Sequence, residues 1–510
     1  MGRSVPRKRR SNSMSEQQRE GVLVTPFSRL DEKQIKLIDE TSREILENLG
    51  ILCYNREAAE ILTREGAKSE DAEGCVKIKI PSKLIDRILE TIPSSIVLGA
   101  RNPENRMVLD AYEPRVRFVS GSETNITLKV DYSDGTPKYI SEEGSIPLLA
   151  EAAHLCNRLE NLDSFIRCVN IREKAITAAN KDVNKFATSL NNITKHVMAG
   201  LTDLNSLENI LKMGEIVAGG KEAFIKNPVL SFITCVIKSP LQMVDDTAAK
   251  LIAISKRKAP VVISSSPMGG ATAPFDEYGM VAQINAELLA GIALNQLVAP
   301  GAPVLYGSVP VRTRLDNLND MYGAPDFNHY HHDAAQLARY YGIPCYSTAG
   351  VGDTDKPGIQ ATAEKMLTLS YMPWTGAQYI HYAFGLLDRT NIFCQEQAII
   401  DDAHIGIIKH NLKSSNVRKE RKKEILDLIT EVMESDHKTY VYNLPLPTVD
   451  DVYVRYPLEA ENGDALYTAW EKRKEIMSHP SDHLPSEMRK EMKQEIPGLL
   501  DESLAERRPE

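Results

Sequence analysis

The chain has 510 residues, 42% of them hydrophobic, enough for one large core or for two to three ordinary domains. A net charge of −9 excludes the chain-wide basic footprint of a nucleic-acid binder. Seven cysteines (Cys53, Cys75, Cys156, Cys168, Cys235, Cys345, Cys394) lack CxxC spacing, and several lie in apolar runs such as SFITCV and GIPCY, so they read as reduced core thiols.

Residues 1–21 form a polar tail, expected to be disordered, that carries the basic cluster PRKRR at Pro6–Arg10. No apolar run approaches the ~20 residues needed to span a bilayer, and the N-terminus lacks the apolar stretch of a secretion signal. A soluble, cytoplasmic protein without a membrane partner is the expectation. From Asp31 to Leu49 apolar residues recur at helical spacing, and Gly50 stops the helix. A helix over about Asn55–Glu65, VKIKIP, a helix from Pro81, SIVLGA, MVLD and VRFVSG follow. The hairpin LKVDYSDGTPKYI then turns at Asp134–Gly135. Residues 31–145 are therefore predicted to be an α+β N-terminal segment.

Beyond Ser145, short β-branched runs alternate with helical periodicity. The strand candidates are FIRCVN, KHVMAG, VLSFITCV, PVVISSS, PVLYGS, IPCYST and AQYIHYA. Strand–helix units in this number predict a TIM-like (β/α)8 barrel over residues 146–412, with an open doubly wound sheet as the alternative. Residues 413–510 are predicted to be a helical C-terminal extension, partly disordered.

In such barrels chemistry sits on the loops after the strand C-termini. Those loops read SSSPMGGATAPF, YGSVPVRTR, STAGVGDTDKPG and HYAFGLLDR, rich in glycine and small hydroxyls that admit a ligand close to the backbone. In FNHYHHD, a helix would put His329 and His332 at i, i+3 and Asp333 four residues from His329, a possible metal face, although HxHHD matches no established zinc spacing. Glu287 and Glu396 sit in apolar helices, where a carboxylate needs a partner. Tyr306, Tyr330, Tyr346, Trp374, Tyr379, Tyr382 and Phe384 gather near the later strand ends, either as core fillers or as a cage for a quaternary ammonium held by cation–π attraction.

The runs QINAELLAGIALNQLVAPGAPVLYGS, YGAPDFNHYHHDAAQLARYYGIPCYSTAG and GLLDRTNIFCQEQAIIDD closely resemble the trimethylamine methyltransferase family of corrinoid-dependent methyltransferases. IPSKLIDRILETIPSSIVLGARNP and NNITKHVMAG fit as well. The resemblance implies a TIM-like barrel that moves a methyl group to Co(I) of a cobalamin carried on a separate corrinoid protein, with no tightly bound cofactor in this chain, and a homo-oligomeric assembly. Members acting on trimethylamine carry pyrrolysine in the loop corresponding to AGVGDTDKPG; matching places Gly352 there. That departure resembles the non-pyrrolysine members, whose substrates are quaternary amines such as glycine betaine, because a quaternary nitrogen already makes a good leaving group. The resemblance assigns Gly352, Gly350 and Val351 to the space pyrrolysine would fill. It makes Tyr306, Tyr382 and Phe384 candidate cage residues, His329, His331 and Arg312 candidate carboxylate anchors, and Glu396 a counter-charge to the ammonium. A metal-dependent barrel hydrolase or lyase and a non-catalytic methylated-amine binder remain the other readings.

Overall fold

The computed structural model describes residues 19–415, 417–443, 456–458 and 464–507. The predicted tail up to residue 18, with PRKRR, lies outside the described residues. Residues 19–21 are held in place: Arg19 N–H donates to Arg106 O, and Arg117 Nη2 donates to Glu20 O at 2.8 Å.

One nine-stranded sheet organises the molecule. Its strands are β1 (Val22–Leu23), β4 (Arg115–Phe118), β7 (Ser164–Ile166), β8 (His196–Ala199), β9 (Leu230–Thr234), β10 (Val261–Ser265), β11 (Val304–Ser308), β14 (Cys345–Thr348) and β15 (Tyr379–His381). The numbers between belong to the hairpins β2 (Ser95–Leu98) with β3 (Met107–Asp110), β5 (Ile126–Asp131) with β6 (Lys138–Glu143), and β12 (Val311–Thr313) with β13 (Asp320–Met321). The sheet order is β1-β4-β15-β14-β11-β10-β9-β8-β7, and every pairing except β1 with β4 is parallel. The seven strand candidates after Ser145 all form.

Parallel strands need long crossovers, and helices supply them. In chain order these are α4 (Ile146–Arg158), α5 (Ala178–Asn192), α6 (Leu207–Ala218), α7 (Asp245–Lys256), α8 (Glu277–Val298), α9 (Pro325–Tyr341), α10 (Ile359–Tyr371) and, after β15, α11 (Gln395–Asn411). The sheet curls until its two flanks meet: Val119 pairs in parallel with Ser164, and Asp163 N–H donates to Phe118 O at 2.8 Å. The result is a barrel-like α/β fold. Strand β4 joins this sheet although it comes from the N-terminal segment; the hairpin β5–β6 between β4 and α4 hides its strand–helix unit from a reading of periodicity.

Side chains alternate across each strand. Val119, Ile166, Met198, Val262, Leu305, Tyr346 and Tyr379 share one cluster with Ile96, Leu98, Met107 and Leu109 of the β2–β3 hairpin. Phe118, Phe165, Val197, Phe232, Ile263, Tyr306 and Ile380 belong to the larger cluster shared with the helices. The first set therefore faces the lumen, and the hairpin plugs its lower end. There Gly99 N–H donates to Pro228 O at 2.9 Å, and His196 Nδ1 lies 2.7 Å from Gly99 O.

Among the described residues one helix, α8, is long and apolar enough to cross a membrane. It is apolar all round because it is covered all round: β10 and β11 lie beneath it, and α1 (Glu32–Glu44), α2 (Arg56–Arg64) and α3 (Ser82–Leu89) pack over it. Asp31 caps α1 through a reciprocal bond with Gln34, as the predicted start requires. Residues 464–507 of the C-terminal extension also pack down: α12 (Ala465–Ser478) lies on α11 and α4, while Asn184 of α5 donates to Gly498 O at 2.9 Å and Asn191 to Ala505 O at 3.0 Å.

Candidate functional site

With the lower end plugged, the strand C-termini are where a ligand can enter. Counting two residues on from the lumen-facing hydrophobic layer gives the next inward positions: Gly121 after Val119, Gly200 after Met198, Cys235 after Ile233, Ser264 after Val262, Gly307 after Leu305 and His381 after Tyr379. The mouth is thus small-walled over β8–β11 and ring-walled over β14 and β15. A Cβ on Gly200 would meet only Ile233 O, at 3.4 Å, so that flank is open. Cys235 Sγ lies 2.9 Å from Ser264 Oγ, and beside it opens a cavity of about 150 Å³ lined by Leu201, Ile233, Thr234, Thr247, Lys250 and Ile254. Cys235 is the one thiol of the seven classed as exposed, against the expectation of a core cysteine, yet its surroundings push the thiol pKa up. Both facts follow if its accessible surface faces this internal space.

The ring wall is continuous. Tyr379 stacks on Tyr346 at 6.0 Å between centroids, Tyr346 on His381 at 5.3 Å, and His381 on Tyr382 at 4.0 Å. Tyr322, carried just after β13, meets Tyr382 edge-on at 6.2 Å. The Tyr346 hydroxyl shares a short hydrogen bond with His381 Nδ1. Burial lowers the His381 pKa well below its usual value and raises the phenols of Tyr322, Tyr346 and Tyr382, so the wall is neutral. Tyr382 adopts φ +72°, a conformation costing about 1–3 kcal/mol for such a residue. The ladder bonds Ala349 N–H to His381 O and Ala383 N–H to Val119 O, at 2.9 and 3.0 Å, hold it there.

Asp320 is close enough to Tyr382 and Tyr322 to raise both phenols. Burial raises its own pKa, and Arg389 opposes that. A cation against these rings would favour the ionised carboxylate. Three tyrosine rings, a neutral imidazole and one carboxylate are together compatible with a cation that cannot hydrogen-bond.

Of the aromatics singled out in the sequence, Tyr346, Tyr379 and Tyr382 lie in this wall. Tyr306 points outward from β11, its hydroxyl donating to Asn285 Oδ1 at 2.9 Å under α8. Phe384 and Val351 are fully enclosed in the outer core. His331 is buried behind β14, with Nδ1 2.8 Å from Ser347 Oγ and Nε2 3.1 Å from Thr348 Oγ1; burial takes its pKa down to about 3. His329 Nδ1 lies 2.8 Å from Glu277 Oε1 on the helical layer, and Asp333 binds Arg29 at 2.8 Å, so this helix face, the possible metal face, is engaged otherwise. His332 joins them, held by Phe27 O and the Tyr371 hydroxyl at 3.0 Å each. Arg312 lies on the rim with its guanidinium 3.5 Å over the Phe275 ring and Nη1 3.1 Å from Asp326.

Glu396 lies behind the loops: Oε1 is 2.7 Å from Arg473 Nε of α12, and Oε2 accepts from Val130 N–H at 3.0 Å. It joins α11 to the hairpin β5–β6 and the C-terminal extension, a clamp away from the rings. Glu287 likewise is closed by Ser239, Ser265, Leu241 N–H and Gln283, all neutral donors. Gly350 (φ +87°) is packed against Ala383 and Leu369, and a Cβ on Gly352 would meet Leu387 Cδ2 at 3.3 Å and Ala361 at 3.7 Å. None of Gly350, Val351 and Gly352 opens on the lumen. Tyr322, Asp320, Cys235 and Gly200 were not singled out from sequence; strand parity is the signal that finds Cys235 and Gly200, while Tyr322 and Asp320 reach the wall only through the β12–β13 hairpin.

A sequence profile described as trimethylamine methyltransferase matches residues 1–439. A trimethylamine methyltransferase of Desulfitobacterium hafniense (strain DSM 10664 / DCB-2) is 30% identical over 390 residues, 76% of this chain and 75% of the relative. A glycine betaine methyltransferase of Desulfitobacterium hafniense (strain Y51) is 28% identical over 408 residues, 77% of this chain and 79% of the relative. A trimethylamine methyltransferase of Methanosarcina barkeri (strain Fusaro / DSM 804) is 29% identical over 392 residues, 76% of each.

Proposed function

Since the chain belongs to the trimethylamine methyltransferase family and is an enzyme that transfers methyl groups, we propose that its methyl donor is a quaternary amine, glycine betaine or a related betaine, and its acceptor a corrinoid carried by a separate protein. Identities of 30% and 28% do not choose between trimethylamine and betaine as donor. The ring wall supports the quaternary donor. The packed rings of Tyr322, Tyr346 and Tyr382 make an aromatic wall for a permanent cation, Asp320 would supply its counter-charge, and His381, neutral, does not repel it. A neutral tertiary amine gains little from such a wall.

The corrinoid supplies a Co(I) nucleophile that takes the methyl carbon, while the C–N bonding pair stays on nitrogen and a neutral tertiary amine departs. The chain's own contribution is positional: the rings fix the ammonium, and the small residues Gly200, Cys235, Ser264 and Gly307 leave the opposite flank low enough for a broad, flat partner group. Loss of positive charge at nitrogen weakens the cation–π hold, which favours release of the product amine. We read the curled sheet as a closed (β/α)8 barrel whose first strand is β4; the pairing of Val119 with Ser164 supports this.

The test is an anaerobic spectroscopic assay of corrinoid methylation with glycine betaine and trimethylamine as donors. Conversion with glycine betaine and none with trimethylamine is expected. Conversion with trimethylamine alone sinks the proposal.

A further inference from the structure

At the ends of β4, β7 and β8 lies a charged cluster, buried at Arg167, Lys185 and Asp182 and open to solvent at Glu123, that the ring wall does not use. Arg167 directly follows β7 and is 3% exposed. Its guanidinium pairs with Glu123 through Nη2, but its buried Nε and Nη1 meet no acceptor among the described residues. Leaving a buried donor unsatisfied is costly, and a charged one more so, which makes two on one side chain a feature that calls for a ligand.

Lys185, on α5 and 1% exposed, lies 2.6 Å from Asp182 Oδ1 and donates to Thr202 Oγ1 at 3.3 Å. The other oxygen of Asp182 accepts from Thr202 and Asp203 N–H at 2.7 and 2.8 Å. Lys181 reaches Glu123 only at 3.9 Å. Arg167, Lys181 and Lys185 thus face Glu123 and Asp182, three cations against two carboxylates, leaving one positive charge over. Burial, and next Arg167 itself, bring the Lys185 pKa down to about 8. Arg312, the other arginine at the mouth, has its partners already in Phe275 and Asp326.

We propose that Arg167, backed by Lys185, anchors a carboxylate of the methyl donor, so that the donor is a zwitterion with its ammonium on the tyrosine wall. This rests on the betaine reading above and names the residues that hold the betaine's carboxylate. The geometry links the two ends. His381, stacked on Tyr382, packs against Gly121, where a Cβ would fall 1.7 Å from Nε2. Gly121 continues β4 toward Glu123, and β4 sits between β15 and β7. Adjacent strands are ~4.8 Å apart, so the backbones bearing Tyr382 and Arg167 are separated by roughly 10 Å. Side chains from both edges shorten that gap to the length of a small zwitterion.

The experiment is isothermal titration of wild type, Arg167→Met and Arg167→Lys with glycine betaine and with tetramethylammonium, which has the same charge and no carboxylate. Wild type binds glycine betaine more tightly; Arg167→Met loses about 10- to 100-fold for glycine betaine and changes less than about threefold for tetramethylammonium, with Arg167→Lys in between. Equal weakening of both ligands, including by misfolding, would be separated by Lys185→Gln, which must then weaken glycine betaine selectively or the anchor is rejected. Absence of any preference for glycine betaine in wild type also rejects it. Selective binding without corrinoid methylation would instead reject the methyl-transfer reading and leave the anchor standing.

Discussion

Two glycine-bearing approaches to the mouth look alike in sequence and do opposite things. The loop Ser347–Gly358 is the more conspicuous, yet it is a locked structural piece. Gly352 N–H donates to Leu386 O at 3.2 Å, and Arg389 N–H to Gly352 O at 3.0 Å. Behind them Lys365, fully buried, binds Gly350 O and Leu386 O and lies 3.1 Å from Asp401, which also accepts from Gly385 N–H. The ends of β4 and β8, with one glycine each, form the working edge: Gly121 seats His381, and Gly200 leaves space. Glycine in the first place lets two loops join; in the second it makes room for a ring and a ligand.

The sharpest way to break this contrast is Lys365→Met. It strands the buried Asp401 carboxylate, and removing one partner of such a pair costs about 3–5 kcal/mol. Denaturant unfolding should show that loss. A loss below about 1 kcal/mol would mean the loop does not depend on the pair.

Gly121→Ala attacks the working edge. At φ +142° a side chain is strained, and its Cβ would overlap the His381 ring, so the imidazole must leave Tyr346. We expect a stability cost of about 1–3 kcal/mol and a fall in kcat/KM of at least about tenfold. Unaltered turnover would remove His381 from the wall. Next in size is Tyr382: replacement by Leu should raise the KM for a quaternary amine by roughly 2- to 30-fold, the worth of one cation–π contact, while Phe keeps most of it. Equal effects of Leu and Phe would point to the hydroxyl instead of the ring.

The seven strands after Ser145 that join the large sheet were legible because buried parallel strands are short β-branched runs set between helices. Arg115–Phe118 was legible as a strand, in VRFVSG, but not as a member of this sheet, because the hairpin β5–β6 follows it before its helix. At the site, residue type found the aromatics near the strand ends but not their direction. Tyr306 and Tyr382 are equally plausible as letters; alternation sends Tyr306 outward under α8, while Tyr382 stacks on the inward His381. Histidine drew attention to FNHYHHD, whose rings are taken up by Glu277, Ser347, Thr348 and Tyr371. Arg167 carried no local signal, since what marks it is that its buried Nε and Nη1 meet no acceptor among the described residues.

The smallest predicted effect concerns Gly352 itself. Its backbone is outside the left-handed region, and an added Cβ meets Leu387 Cδ2 at 3.3 Å and Ala361 at 3.7 Å, contacts that a few tenths of an ångström relieve. Gly352→Ala should therefore cost less than about 1 kcal/mol and leave the KM for the amine unchanged, measured by thermal unfolding and by the methylation assay. Leu387 and Ala361 belong to the hydrophobic cluster of the β5–β6 hairpin and Trp470, away from the rings. A long side chain at this position would press into that cluster and unseat the hairpin instead of reaching the amine. A large change in KM from so small a substitution would place the loop at the substrate after all, and would make the glycine there a determinant of which amine is accepted.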